Sequence, residues 1–408
     1  MIDCELLLRR DARDYRWTPV AGPIAPAHYD AAIADLSARG RSIPGVVALY
    51  DFGPIRYPGL SDIDLLFVVR DDFAAFDALR ALLHASVAPR YHNVLLHNPY
   101  FVRARELPLY FKFAPFFELN RRWGTGDADL PARLSNDDPL DLTLFLLDIV
   151  IDAYPWEFVR YLTLERIDER ELMSRVKGLS YCFALLDRIG ARQAEGFRAR
   201  AAAFSEAIAG LRERYFDLAP VERQARLLTL TQRAVGLSQE LIGVLAEHLR
   251  AAWGLRLAGD LILSCTRVAA LYRGAAPAEP RVGAVRLRRT DYYVQQPVEL
   301  GYVVWEYMQR AGPVTNRFRR RSIDRLRVEQ APAPAIREAI GRRADLRNDH
   351  QAWLDRMALG HPGFMTFGYR TRQRGGGGAA RRIAGRVLDA AREALLRRRL
   401  IALRDGGE

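Results

Sequence analysis

Two carboxylates stand two residues apart at the start of an apolar run. Asp62 and Asp64 come immediately before the hydrophobic stretch 65–69. Successive side chains of a β-strand alternate between faces, so a strand over 63–69 places both carboxylates on one face and Ile63 on the other. Paired carboxylate oxygens suit a hard divalent cation such as Mg²⁺ or Mn²⁺, which keeps several waters and bridges to substrate phosphates. The spacing therefore predicts a metal site at Asp62 and Asp64.

The residues before the pair have the composition of a tight loop. Residues 53–61 include two glycines and two prolines, and the apolar run 46–50 precedes them. An apolar strand, a glycine turn, a short loop and then Asp-x-Asp before a second apolar strand resembles the signature of the nucleotidyltransferase superfamily, which is built on the polymerase-beta-like fold. The resemblance rests on residues 46–69.

The resemblance implies that Gly53, Arg56 and Ser61 bind a nucleoside triphosphate. The family usually has a serine directly after the glycine, and this chain has Pro54 there. Proline supplies neither a hydroxyl nor an N–H group to a phosphate. Two expectations follow: triphosphate binding is rebuilt with Arg56 or Ser61, or it is lost.

The superfamily usually adds a third carboxylate from a later strand. Glu118, which we expect late in a strand at the end of the run 109–119, is the first candidate, and Glu106 is the second. The resemblance implies that Asp62, Asp64 and Glu118 are catalytic and hold one or two Mg²⁺ ions. The implied reaction is in-line transfer of a nucleoside monophosphate from a nucleoside triphosphate to a hydroxyl acceptor, which the sequence does not identify.

Lysine is rare in this chain, which contains Lys112 and Lys177 against 59 arginines. An ammonium and a guanidinium are not interchangeable at a phosphate. In several branches of the superfamily, a lysine on a helix that follows the core reaches the triphosphate. The resemblance therefore implies a nucleotide-binding role for Lys177, and a solvated lysine on a helix face is the alternative interpretation.

Hydrophobic periodicity predicts strands and helices in the first part of the chain, then an all-helical domain, then a basic and mainly helical C-terminal region. The resemblance implies that the first part is an α/β (α+β) core with a mixed sheet. Within the core, we expect a helix at 27–39 that ends before Gly40, and strands at 46–51 and 63–69. Asp71 and Asp72 offer an N-cap and first-turn charge for a further helix that continues to about residue 87. The polar stretch 125–140 indicates a domain boundary. The predicted divisions are 1–135, 136–275, 276–374 and 375–408.

The net charge of +12 is concentrated in the last third of the chain, where residues 276–408 contain 27 arginines and 14 acidic residues. A run of four glycines at 375–378 precedes a predicted basic amphipathic helix over 379–404. Such a region is typical of contact with an anionic membrane surface or with nucleic acid, and docking onto the protein itself is the third alternative.

The remaining composition excludes several classes of protein. The cysteines, Cys4, Cys182 and Cys265, are too few and too far apart for a disulfide framework or a cysteine-based zinc site. The sequence contains no Walker-type phosphate loop, no dinucleotide-binding glycine motif and no nucleophile elbow. No apolar run is long enough to span a bilayer, and the first residues do not read as a secretory leader. We therefore expect a cytoplasmic enzyme, peripheral on the inner face of the membrane if its basic region binds lipid.

Two other functions fit the same residues. The fold could serve another metal-dependent transfer, of a sugar or a phosphate-linked group, at the membrane surface. Alternatively, the core could be degenerate in a non-catalytic protein that binds nucleic acid through residues 276–408.

Overall fold

The computed structural model describes most of residues 9–253 and a smaller share of the last third. The described residues are 9–86, 89–91, 93–95, 99–112, 118–124, 130–152, 158, 161–162, 166–253, 281–287, 290–295, 338, 342, 346, 349, 350 and 353. The glycine run at 375–378 and the predicted basic helix over 379–404 lie outside the described residues.

The described residues form helices and strands in the following order. The helices are α1 (Pro26–Arg41), α2 (Phe76–Ser86), α3 (Pro139–Asp152), α4 (Glu169–Arg188), α5 (Glu195–Glu213) and α6 (Pro220–Trp253). The strands are β1 (Arg16–Thr18), β2 (Val46–Asp51), β3 (Leu65–Val69), β4 (Tyr100–Arg103), β5 (Glu118–Gly124), β6 (Arg133–Ser135), β7 (Arg166–Asp168), β8 (Arg281–Leu287) and β9 (Thr290–Gln295). A 3₁₀ segment, Ala104–Lys112, follows β4.

The chain forms two compact units. The sheet unit contains the described residues of 20–137 and of 346–388, and the helical unit contains those of 9–19 and 138–345. The predicted divisions stay a prediction. Residues 9–19 group with the helices, and the described positions from 346 to 353 group with the sheet.

The sheet unit is built on a five-stranded mixed sheet, in the order β4-β3-β2-β5-β6. Strands β3 and β4 are parallel and the other neighbours are antiparallel. The predicted mixed sheet and the predicted strand at 46–51 are confirmed. The second predicted strand is shorter than expected, because it begins at Leu65 rather than at residue 63.

Both faces of β3 are buried, which explains its uninterrupted apolar sequence. Leu65, Phe67 and Val69 pack into a core shared with α1 and α2. Leu66 and Val68 alternate to the other face, where the 3₁₀ segment covers them. A shift of one residue in the register of β3 would exchange these two sets, so the two cores together specify the register.

Helix α1 packs closely on β3. It begins with Pro26 in the first turn, where a missing N–H costs nothing. The prediction that α1 ends before Gly40 is wrong, because α1 continues to Arg41. A Cβ atom added at Gly40 would lie 2.3 Å from Cε1 of Phe67. Gly40 therefore allows close approach of helix and sheet rather than helix termination.

The helical unit contains α3–α6 and the two-stranded parallel sheet of β1 and β7. The described residues of this part of the chain are largely helical, in α3–α6, and the predicted all-helical domain stays a prediction. Glu169, at the start of α4, is fully buried and accepts hydrogen bonds from Gln224 Nε2 at 2.7 Å and Arg223 Nε at 3.0 Å. The Tyr215 hydroxyl also donates to it. These bonds tie the start of α4 to the start of α6.

The described part of the last third is not helical throughout. Strands β8 and β9 form an antiparallel hairpin within the region expected to be mainly helical. The described positions from 338 to 353 are helical. Among all described residues, no helix is both long enough and apolar enough to cross a bilayer.

The contact between Gly40 and Phe67 predicts a large effect of a small substitution. Gly40→Ala should lower the free energy of unfolding by about 1–3 kcal/mol, because the new methyl group overpacks a buried interface. Gly210→Ala is the control, since a Cβ at this helical glycine meets nothing within 4 Å. Urea denaturation followed by circular dichroism measures both. Equal behaviour of the two variants would contradict the packing role of Gly40.

Candidate functional site

The candidate site lies at one end of the sheet. Strand β2 ends at Asp51, which pairs across the sheet with Leu65, the first residue of β3. Strand β4 runs parallel to β3 and begins with Tyr100, opposite Leu66. The end of β2 and the starts of β3 and β4 therefore meet, and we call this edge the carboxylate end of the sheet.

Asp62 and Asp64 lie immediately before β3, not within it. The Ile63 N–H donates to the carbonyl of Val94 at 2.8 Å, and the Ile63 side chain is buried in the core beside α1 and α2. The flanking aspartates are both partly exposed. The alternation of side chains that is expected for a strand thus begins at the residues before β3. It directs both carboxylates away from the core beside α1 and α2 in which Ile63 is buried.

The Tyr100 phenol lies near both carboxylates. Burial raises the pKa of Tyr100 well above its ordinary value, and the negative charges of Asp64 and Asp62 raise it further. Burial and Asp64 likewise raise the pKa of Tyr110, on the 3₁₀ segment. Both aspartates are therefore close enough to Tyr100 to act on it electrostatically.

Three aromatic rings line this side of the carboxylate end. The Phe52 ring centroid lies 5.6 Å from that of Tyr100 and 6.3 Å from that of Tyr110. Tyr110 is fully buried, whereas Phe52 and Tyr100 are partly exposed. We call these three residues the aromatic wall. Sequence reasoning missed it, and its only signal was the position of Phe52 beside the glycine turn.

The turn after β2 is held by the last residue of that strand. Gly53 has a φ of 118°, a conformation that favours glycine. Its N–H donates to Oδ1 of the buried Asp51 at 3.2 Å, and Asp51 also forms an ion pair with Arg122. Pro54 and Arg56 follow on the exposed side of the loop. The chain therefore forms the glycine turn with a carboxylate acceptor, without the serine that the family pattern has.

The second half of the loop is closed by Tyr29, from α1. The buried Tyr29 hydroxyl donates to the Ser61 carbonyl at 2.9 Å and accepts from the Gly59 N–H at 2.7 Å. The Ser61 hydroxyl accepts from the Tyr57 N–H at 3.2 Å. Ser61, predicted to bind nucleotide, is thus a buried residue whose hydroxyl helps to close the loop directly before Asp62.

Glu118 is not brought to the aspartate pair. It is the first residue of β5 and not a late one. Its neighbour Leu119 packs in the core of Leu66 and Val68, so alternation places Glu118 on the opposite face of the sheet. Its carboxylate contacts Nδ2 of Asn120 at 3.4 Å and Nη2 of Arg133 at 3.3 Å. The expectation that Glu118 joins the pair is corrected by this placement.

Glu106 is held in a buried cluster with Arg103, His350 and Trp353. Its Oε2 lies 3.1 Å from His350 Nδ1 and accepts from the Arg103 N–H at 3.1 Å, and its Oε1 is paired with the Arg103 guanidinium. The guanidinium carbon lies 5.6 Å from the centre of the Trp353 ring. Glu106, the second candidate, therefore serves this buried ion cluster.

The protonation states in the cluster follow from its surroundings. Burial by itself raises the pKa of Glu106, but hydrogen bonds from His350 and Arg103 outweigh it and lower the pKa to about 2. Burial lowers the pKa of His350 from its ordinary 6.5, and Glu106 offsets part of that effect. Glu106 is thus ionised against Arg103, while His350 is neutral near pH 7 and donates through Nδ1. Sequence reasoning missed His350 and Trp353, although Leu346, His350 and Trp353 have the spacing of one helix face.

Lys177 lies on α4 in the helical unit. Its ammonium is 5.0 Å from the centre of the Tyr181 ring, which lies one turn further along the same helix. A contact of this kind is a cation–π interaction on a helix face. The predicted nucleotide-binding role of Lys177 stays a prediction.

The donor set at the carboxylate end suits Mg²⁺. Mg²⁺ in phosphate-transferring sites is bound by one or two carboxylates, with waters and substrate phosphates completing its octahedral shell. Asp62 and Asp64 supply two carboxylates that are accessible and on one side. Within the residues that the structure describes, no group of three or more His, Cys, Asp or Glu side chains could hold a metal ion. Any metal at this end would therefore rely on the pair and on the substrate.

Comparison of the chain with protein-family models, with curated proteins and with solved structures finds no match.

The bridging hydroxyl of Tyr29 generates a prediction about the loop. Tyr29→Phe leaves the Gly59 N–H and the Ser61 carbonyl without their buried partner, which should cost about 1–3 kcal/mol of unfolding free energy. Amide hydrogen exchange at Gly59 should become faster. Tyr50→Phe is the control, because it removes a phenol hydrogen bond to Pro131 in the same unit but away from this loop. Unchanged exchange at Gly59 would refute the role of Tyr29.

The buried cluster predicts a loss of stability in acid. The pKa of His350 is lowered in the folded protein, so its contribution is complete above pH 6.5 and is lost as the pH falls below that value. Glu106 acts in a lower window, since its contribution is present above pH 4.5 and is lost toward pH 2.

The measurement is the urea unfolding free energy at pH 7 and at pH 5.5. The stability advantage of the wild type over His350→Gln should shrink between these values, with a limiting slope of about 1.4 kcal/mol per pH unit for one proton. His28→Gln, which makes the same substitution at an exposed position on α1, is the control. A constant difference between wild type and His350→Gln would show that His350 does not titrate as inferred.

Proposed function

We propose that the protein is a metal-dependent, nucleotidyltransferase-like enzyme that transfers a nucleoside monophosphate from a nucleoside triphosphate to a hydroxyl acceptor. The observation that carries the proposal is the carboxylate pair itself. Asp62 and Asp64 are partly exposed and lie on one side of the sheet end, after the glycine turn at Gly53 and the loop that follows it. The mixed sheet with helices on one face supports a polymerase-beta-like core for this unit.

In this proposal, different residues bind the metal ion and the phosphates of the donor. Asp62 and Asp64 hold the divalent cation, which neutralises phosphate charge when it is bound. Arg56, exposed on the loop, supplies a guanidinium for the triphosphate oxygens. The polar contacts that close the loop keep the backbone before Asp62 in one conformation, which limits the ordering cost on binding.

A second candidate function draws on the departures from the family pattern. Pro54 offers no N–H or hydroxyl, and the Ser61 hydroxyl is engaged in closing the loop. These features favour a donor that is held mainly through its metal ion, such as a sugar carried on a phosphate. In that case the pair of aspartates keeps its role and the donor changes.

Calorimetric titration of the full chain with the four nucleoside triphosphates, with and without Mg²⁺, tests the proposal. Binding should require Mg²⁺ and should weaken by at least about tenfold, or 1.4 kcal/mol, in Asp62→Asn/Asp64→Asn. The control is Asp72→Asn/Asp77→Asn, which makes the same charge change at two exposed positions beyond the other end of β3. Metal-independent binding, or equal affinity of the site variant and the control, would rule out this site. Binding of sugar nucleotides but of no triphosphate would favour the second candidate.

A further inference from the structure

We infer that Phe52 and Tyr100 form a subsite for a planar ring, the base of a nucleotide, beside the carboxylate pair. This inference rests on the proposed function and specifies which part of the donor the protein recognises. It assigns the carboxylates to the metal–phosphate part of the ligand and the aromatic wall to its ring.

The register of the sheet sets the two rings on either side of Asp64. Phe52 is the first residue after β2, and Asp51 pairs with Leu65, so Phe52 continues β2 opposite Asp64. Tyr100 pairs with Leu66, two residues after Asp64 and on the same face. The strand that leads to the carboxylates therefore runs between the two aromatic residues.

The two rings are arranged as a preformed surface. They meet at an interplanar angle of 75°, edge to face, with centroids 5.6 Å apart. Tyr110 lies behind Phe52 at 6.3 Å and is itself fully buried against Phe111. A buried support of this kind holds Phe52 in place, so little side-chain entropy is lost when a ligand ring packs on it.

The chemistry of the surface selects its ligand. Phe52 and Tyr100 are both partly exposed beside two partly exposed carboxylates, so apolar and anionic groups share one accessible edge. A ligand that satisfies both must join a metal-bound anion to a flat apolar ring. Every nucleobase has a face that stacks on aromatic side chains, and it is joined to phosphate through one sugar. Inorganic polyphosphate satisfies the carboxylates through the metal but leaves the rings without a partner.

The test compares three triphosphates, which carry a purine nucleoside, a pyrimidine nucleoside or no nucleoside. The full chain in Mg²⁺ is titrated calorimetrically with ATP, with CTP and with inorganic tripolyphosphate. The wild type should bind ATP more tightly than CTP, because a purine offers the larger stacking face, and CTP more tightly than tripolyphosphate. Phe52→Ala should weaken ATP binding by about tenfold, the order expected for one lost stacking contact, and should leave tripolyphosphate binding unchanged. Tyr100→Phe keeps the ring and should retain most of the affinity.

Two further variants control for packing. Phe52→Leu keeps apolar volume without an aromatic face, so it should fold normally and still bind ATP several-fold more weakly. Phe76→Ala is the matched control, because Phe76 is also partly exposed and edge-to-face with its neighbour Phe73, at 5.7 Å, but belongs to α2. Phe76→Ala should change neither the affinity for ATP nor the affinity for tripolyphosphate.

The outcomes separate the subsite from the proposed function. Equal binding of ATP and tripolyphosphate by the wild type, or an equal loss of both in Phe52→Leu, would overturn the subsite and leave the metal–phosphate site standing. Failure of the folded wild type to bind any of the three ligands in Mg²⁺ would overturn the proposed function, and the subsite with it.

Discussion

The structure of the candidate site depends on the burial of β3 on both of its faces. The side chains of β3 alternate between two separate cores, and every one of the five residues is buried. A slip of one residue would drive Asp64 into the place of Leu65, at the cost of burying an unpaired carboxylate. Hydrophobic burial along the strand thus decides where the polar residues before it point. The packing of the β3 side chains therefore fixes the position of both carboxylates.

Polar contacts complete what hydrophobic burial begins. The loop between β2 and β3 buries Leu60 and Ile63. Its two halves are also held by hydrogen bonds, which the Asp51 carboxylate accepts in the first half and the Tyr29 hydroxyl makes in the second. Asp51 belongs to the strand before the loop, and Tyr29 belongs to α1, so the loop is tied both to the sheet and to the helix that covers it. Each bond satisfies a backbone group that would be costly to leave unpaired in a partly buried loop. Local order at the candidate site therefore depends on distant side chains.

The contacts of Glu106 with Arg103 and His350 make this carboxylate unsuited to act as a metal ligand. Arg103 and Glu106 are each 6% exposed, and His350 is fully buried. A buried carboxylate loses its hydrogen bonds to water, and charged or hydrogen-bonding neighbours must replace them. Here those neighbours are Arg103 and His350. The same contacts bind the described positions near residue 350 to the sheet unit, far in sequence from β4. Glu106 consequently stabilises the fold and is unsuited to hold a metal ion at the carboxylate end.

Local patterns in the sequence determined the parts of this protein that depend on nearest neighbours along the chain. The strand at 46–51, the glycine turn at Gly53 and the helical pattern after residue 139 follow from hydrophobic periodicity and from the backbone freedom of glycine. The common side of Asp62 and Asp64 follows from the two-residue repeat of extended backbone.

Only the tertiary structure decided which distant residues meet. Glu118 starts β5 and faces away from the pair, because the pairing of β5 with β2 sets which of its side chains share a face with Leu66. Gly40 lies within α1, because the helix packs directly on Phe67 and no pattern within the helix reports that contact. His350 reaches Glu106 across 244 positions of sequence. Periodicity describes one element at a time, whereas strand pairing, close packing and buried ion pairs are properties of two or more elements together, and the sequence of one element does not contain them.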